Sequence, residues 1–112
     1  MNNKPGLDRS FDALSHPVRR AILERLARAP SPIGAATRDL GVTKPAVTKH
    51  VKVLEDAGFV RRRVVGRTHW LELQPAPLGD AVRWLEAHRA LWEAKFDAVE
   101  SYLDETAEGG IA

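Results

Sequence analysis

Apolar residues recur at helical period along most of this chain and alternate in one short stretch. Val18, Ile22 and Leu26, flanked by Ala21 and Ala29, form a stripe that predicts an amphipathic helix. Ser15-His16-Pro17 precedes it as a start signal, with Pro17 pre-set for the first helical turn. Pro30, Ser31 and Pro32 stop that helix and start the next. Upstream, residues 8–15 read as a short helix with Asp8 as candidate N-cap and Phe11 and Leu14 on one side. Residues 1–7 are polar, contain Pro5 and Gly6, and read as a flexible N-terminus. A third helix runs from about Pro32 to Leu40 and ends at Gly41, which can supply the left-handed residue of a sharp exit. Thr43 then caps a fourth helix, with Pro45 in its first turn, Val47, Val51 and Leu54 facing inward, and Gly58 ending it. Helix, glycine turn and capped helix in this order is the layout of a helix-turn-helix.

From Phe59 to Leu73 the period changes. Val60, Val64, Val65, Trp70, Leu71 and Leu73 are strand formers, and Gly66-Arg67 is a two-residue hairpin signal. With that loop, Val65 faces Thr68, Val64 faces His69, Arg63 faces Trp70, Arg62 faces Leu71, Arg61 faces Glu72 and Val60 faces Leu73. Val60, Leu71 and Leu73 then share the core face, Arg62 points the same way with its stem along that face, and Arg61–Glu72 and Arg63–Trp70 pair on the open face. Pro75-Ala76-Pro77 reads as a hinge before a long helix, roughly Leu78 to Glu105. Positions 82, 85, 89, 92, 96, 99 and 103 of that helix lie in one row, and all but Arg89 are apolar. Ala81, Trp84, Leu91, Ala98 and Tyr102 widen the face, and residues 106–112 read as a flexible tail. The predicted fold class is mainly α with a small β-hairpin (α+β). Residues 8–73 form a winged helix-turn-helix, and residues 78–105 form a C-terminal dimerisation helix.

Composition narrows the chemistry. At 112 residues the chain is one domain's worth. It has no cysteine, which excludes disulfides, thiolate metal sites, iron–sulfur clusters and a cysteine nucleophile. The four histidines are scattered without helical zinc spacing, and no phosphate-binding glycine loop or Ser/His/Asp signature is present. The expectation is therefore a non-enzyme without cofactor or metal. No apolar run reaches the roughly 18 residues of a membrane span and the N-terminus has no signal-peptide pattern, so a cytoplasmic location is expected.

Charge is unevenly placed. Residues 1–70 carry 14 Lys/Arg against 6 Asp/Glu, and residues 71–112 carry 3 against 9, so a net charge of +2 conceals a basic region and an acidic end. That asymmetry suggests that one part faces a polyanion. On the fourth helix, Lys44, Lys49 and Lys52 come early and Glu55 and Asp56 late, the reverse of what a helix dipole favours. Phosphates near the helix start would invert that penalty. In this reading Lys44, Pro45, Thr48 and Lys49 approach base edges, Lys52 a phosphate, and Thr43 at the cap belongs to the same DNA-binding set. Arg67 at the hairpin tip and Thr68 beside it complete the double-stranded DNA contacts. Glu72 and Trp70 offer Arg61 and Arg63 local partners, so these two arginines either contact DNA or pair within the hairpin, and His50 is either a packing histidine or a contact. The wide aromatic face of the last helix asks for a partner, most simply a second copy meeting at Leu85, Trp92, Phe96, Val99 and Leu103, with Phe11 from the first helix.

From Phe11 to Leu73 the chain resembles the ArsR family of bacterial winged-helix repressors. The residues that carry the resemblance are Leu14-Ser15-His16-Pro17-Val18-Arg19-Arg20-Ala21-Ile22-Leu23, the run from Leu40 to Val60, and the Gly66-Arg67 wing. The resemblance implies a homodimer, built through its first and last helices, that represses transcription from a palindromic operator until an inducer releases it. It also implies a non-metal branch. Where the family's metal sensors carry ligands, this chain has Ile33-Gly34-Ala35-Ala36-Thr37 on the third helix, and Asp80 with a lone His88 on the last. Two other readings stand beside it: a winged-helix module that binds protein rather than DNA, and a repressor released by a small apolar ligand between the C-terminal helices. The class of inducer is not readable from the residues.

Overall fold

The computed structural model describes residues 6–110, so residues 1–5 of the expected flexible N-terminus and residues 111–112 of the expected tail lie outside it. Helix α1 spans Gly6–Leu14, starting two residues before the expected start. Asp8 is therefore not the cap. It sits inside the first turn, where a carboxylate meets the positive end of the helix dipole. Helix α2, Pro17–Arg28, is capped by an unusual residue: the His16 ring accepts a hydrogen bond from the Val18 N–H through Nδ1 at 3.1 Å. Pro17 occupies the first turn as expected, and Ile22, Leu23 and Leu26 are buried.

Two arginines close the end of α1. The last carbonyls of a helix have no partner within it. Here the Arg19 guanidinium donates to the Ala13 and Asp12 carbonyls, each at 2.9 Å, and Arg20 donates to Leu14 at 2.7 Å. Arg25 does the same further on, donating to the Ala36 carbonyl at 3.2 Å and to Arg38 at 2.6 Å.

The stretch after α2 departs from expectation. Ser31–Pro32 form a short strand, β1, and the third helix, α3, is only Ile33–Ala36. Pro32 is extended, with ψ 147°, so it serves as a strand residue and not as the first helical one. An edge strand tolerates proline because the missing N–H is not asked for. Thr37 ends α3, its hydroxyl donating to the Ile33 carbonyl at 2.6 Å. Asp39 and Gly41, at φ 57° and 71°, then turn the chain. Gly41 is left-handed as anticipated, but it turns the loop before the next helix and does not end α3, which has already stopped at Ala36.

Helix α4, Lys44–Asp56, forms as the sequence predicts. Thr43 Oγ1 accepts from the Ala46 N–H at 3.3 Å, and Pro45 fits in the first turn. The hairpin follows with β2 at Val60–Val65 and β3 at Thr68–Leu73, in the register read from the sequence at all six paired positions. Only Gly66 of the two loop residues has positive φ, 62°. β1 joins β3 through Ser31 opposite Leu71 and Pro32 opposite Trp70, so the hairpin is part of a three-stranded antiparallel sheet in the order β1-β3-β2. Ala13, Ile22, Leu26, Val51, Leu54, Phe59 and Leu71 make the core where α1, α2, α4 and the sheet meet. Removing about 25 cal/mol of unfavourable hydration per Å² of apolar surface is what holds these elements together.

Helix α5 runs over Ala76–Gly110. It begins inside the segment expected to be a hinge, because a proline at the start of a helix loses no hydrogen bond. Its helical backbone also continues past Glu105, where a tail was expected. The chain divides into a unit ending at Ala81 and a second unit from Val82 onward. Within the second unit, Arg89 bonds Glu93 at 2.9 Å and lies 3.5 Å from Glu86. The Trp84, His88 and Trp92 rings stack one turn apart, with centroid separations of 4.4 and 5.7 Å.

Candidate nucleic-acid interface

The outward side of α4 is built by its own two ends. Val51 and Leu54 are fully buried on the opposite side and anchor the helix in the core. That leaves Lys44, Pro45, Thr48, Lys49 and Lys52 exposed, with Thr43 exposed just ahead of them. The Thr48 hydroxyl donates to the Lys44 carbonyl at 3.1 Å, so Thr48 presents its methyl group and its oxygen lone pairs outward. Thr43 uses its oxygen as the cap acceptor and keeps its O–H free to donate. Lys52 approaches Asp56 at 3.5 Å, with both side chains well exposed. A pair of that kind contributes at most about 1 kcal/mol and yields easily to a phosphate. Among the described residues Lys44 and Lys49 make no ion pair.

The acids at the other end of α4 are engaged. Glu55 accepts from Arg62 at 2.8 Å, and the same guanidinium donates to His69 Nδ1 at 3.2 Å. This revises the expectation for Arg62. It does face the apolar side, but its head group is fixed between the end of α4 and the neighbouring strand and does not reach out along the surface. For Arg61 and Arg63 the sequence leaves pairing within the hairpin and DNA contact both open. They sit opposite Glu72 and Trp70 in the register. Among the described residues neither forms an ion pair or hydrogen bond, and both are exposed. Arg67 and Thr68 lie at the hairpin tip, both exposed. The winged-helix unit thus sorts its arginines. Arg19, Arg20, Arg25 and Arg62 are committed internally, while Arg61, Arg63 and Arg67 point to solvent.

His50 packs against the start of α2. It is half-buried, its Nδ1 takes a hydrogen bond from Arg19 Nη1 at 3.1 Å, and its ring lies 4.3 Å from that of His16. Burial first, then the neighbouring His16 and Arg19, hold its pKa below the ordinary 6.5. Sequence reasoning did not find this contact or the arginine-to-carbonyl bonds, since a backbone acceptor leaves no trace in residue type.

The residues expected at a self-interface are accessible in the single chain. Phe11 on α1 and Leu85, Trp92, Phe96, Val99 and Leu103 on α5 are all exposed, Phe96 to 69%. Among the described residues no group of three or more metal-ligating side chains is found, and no helix is long and apolar enough to cross a membrane.

Comparison with known proteins agrees with this architecture. A helix-turn-helix domain family matches residues 14–63. The chain is 45% identical over 71 residues to the HTH-type transcriptional regulator Rv2034 of Mycobacterium tuberculosis, a match spanning 63% of this chain and 66% of that protein, just under two-thirds of its length. It is 27% identical over 75 residues to the transcriptional repressor SdpR of Bacillus subtilis, covering 67% of this chain and 83% of that one. Its fold matches the crystal structure of an ArsR family transcriptional regulator with a TM-score of 0.74 and 32% identity, over 80% of this chain and 98% of the other. With the capped α4, the hairpin wing and these relatives in agreement, the chain belongs to the ArsR family of winged helix-turn-helix transcriptional regulators.

Proposed function

We propose that this chain is a sequence-specific DNA-binding repressor that acts as a homodimer on a palindromic operator. The observation that carries the reading is the state of the α4 cations. Lys44 and Lys49 stand exposed and unpaired on a helix whose opposite side is locked into the core, with no acid in its first turn. A cation at a helix N-terminus is unfavourable by about 0.3–1 kcal/mol, and a phosphate placed there reverses the sign. Lys44, Pro45, Thr48 and Lys49 would read base edges in the major groove, Thr43 and Lys52 would hold phosphates or adjacent edges, and Arg67 and Thr68 would follow the neighbouring groove. The relationship to SdpR, itself a repressor, favours repression over activation.

The dimer reading rests on the row Leu85, Trp92, Phe96, Val99 and Leu103, exposed along α5, with Phe11 as a contributor from α1. In such a dimer the two α4 helices should fit major grooves about one helical turn apart, ~34 Å. An inducer would act on this dimer, and its class is open.

The test is selection from a random pool of duplexes roughly 30 base pairs long, enough for two half-sites. Enrichment of an inverted repeat, bound with an affinity that falls steeply with salt, supports the reading. No enrichment, with duplex DNA bound no better than an acidic control protein at low salt, sinks it and favours a protein-binding module.

A further inference from the structure

His16 and His50 belong to different elements, one capping α2 and the other on the recognition helix α4, yet their rings stand 4.3 Å apart. The hydrogen bonds around them fix their protonation. A backbone N–H can only donate, so His16 Nδ1, which receives the Val18 N–H, carries no proton. A guanidinium can only donate, so His50 Nδ1, which receives Arg19 Nη1, carries none either. In this arrangement both Nδ1 atoms serve as acceptors. Arg19 is the centre of this joint. Its remaining nitrogens hold the Ala13 and Asp12 carbonyls at the end of α1 and approach the Ser15 hydroxyl at 3.4 Å. One guanidinium thus ties together the end of α1, the start of α2 and the middle of α4.

From α2 and its cap, Arg19 and His16 face His50. From α1 come main-chain carbonyls that reach Arg19, and the charged side chains of Arg9 and Asp12, which line a surface cleft with Val53 and Asp56 of α4. One turn away on α4 itself lie Ala46, Val47, Val53 and Leu54, none of them titratable. A proton added to His50 Nδ1 would remove the acceptor that α4 offers Arg19 and set a second positive charge against the guanidinium. A proton on His16 Nδ1 would remove the α2 cap.

We propose that Arg19 and the His16–His50 pair are positioning residues for DNA recognition, and that DNA binding by this regulator is gated by protons through the joint they form. In the neutral state Arg19 adds a tie near the middle of α4 to the core anchors Val51 and Leu54 and fixes how the helix is presented. In the protonated state the tie is broken and the recognition helix loses its fixed presentation. This rests on the DNA-binding reading, and one arm of the test does not.

In the DNA-free arm, histidine and backbone NMR signals of the full chain are followed between about pH 7.5 and about pH 5. We expect His50 to titrate below 6.5 and the α4 amides to shift with it. In His50→Asn the amide oxygen replaces Nδ1 as an acceptor that cannot be protonated, so those α4 shifts should vanish. If the α4 amides of the natural chain ignore the His50 titration, or titrate unchanged in H50N, the proposal is overturned whatever the chain binds. In the second arm, the duplex recovered by selection is titrated at each pH. Affinity relative to H50N should fall on acidification, approaching tenfold per pH unit below the His50 pKa for a single linked proton. Superimposable pH profiles for the two proteins overturn the gate. Arg19→Met should weaken binding at neutral pH and remove the extra pH dependence, while a dependence that persists without Arg19 also counts against the joint.

Discussion

Arg62 offers the most direct check on how the basic residues are sorted. It sits in the run Arg61-Arg62-Arg63, yet only it is turned inward, bonded to Glu55 at 2.8 Å and to His69 at 3.2 Å. The Arg62 and Glu55 side chains are 30% and 29% exposed, between a surface pair and a buried one. Exposed pairs contribute about 0–1 kcal/mol, whereas breaking a fully buried one costs about 3–5 kcal/mol. We expect a coupling of about 1–2 kcal/mol between Arg62 and Glu55, discounted toward the lower value by solvent. Arg62→Met should cost about 2 kcal/mol in all, because Glu55 is then left at the negative end of α4 and His69 loses its donor. The assay is a double-mutant cycle, R62M with Glu55→Gln, by urea unfolding followed by circular dichroism. All four proteins should be compared at one concentration, since a dimer's apparent stability depends on it. The coupling should shrink in high salt. The same R62M protein should keep the natural salt slope of DNA binding, because this cation meets no phosphate. A coupling within error of zero, or a flattened salt slope in R62M, refutes the assignment.

Other outcomes follow from the same structure. Lys49→Ala should cost about 1–3 kcal/mol of sequence-specific binding. Arg67→Ala should lower the slope of log K against log salt by about 0.9, as for one phosphate lost; both are read by fluorescence anisotropy, and unchanged isotherms would move the interface elsewhere. Thr43→Ala should destabilise the fold by about 1 kcal/mol through the lost α4 cap, measured by urea unfolding. Trp92→Glu or Phe96→Glu should give monomers in sedimentation, and a persistent dimer would place the interface off this row. Because His50 titrates below its ordinary value, the unfolded chain binds that proton more readily. Its contribution to stability is complete above about pH 6.5 and declines as the pH falls through the folded pKa, which thermal melts across that window can follow.

Much of the fold was legible from residue pattern. The hairpin register follows once alternation and a two-residue Gly66-Arg67 loop are accepted, because those two facts leave one pairing. The fourth helix is bracketed by chemistry, a capping threonine at one end and a left-handed Gly58 at the other. The exposed residues of α4 follow from the same period. What was hidden depends on acceptors that carry no sequence signal. Arg19, Arg20 and Arg25 bond carbonyls, and any residue has a carbonyl. Glu55 and Arg62 are seven positions apart and meet only because the chain reverses at Ala57-Gly58 and lays β2 against the end of α4. β1 was missed because two residues, one of them proline, offer no period, and only β3 beside it makes a strand of them.

The arginine-to-carbonyl bonds bear on how such a regulator can vary. Replacing Arg19, Arg20 and Arg25 with lysine would leave the formal charge and the long-range field almost unchanged. An electrostatic map of the surface would barely register the exchange. Yet five main-chain oxygens at the ends of α1 and around α3 depend on planar, multi-pronged donors, and a single ammonium cannot reach two of them in fixed directions. Such a variant would be electrically silent and structurally disabled. For this chain, total basic charge is therefore a poor measure of its capacity to hold DNA, because part of it serves to close the ends of helices.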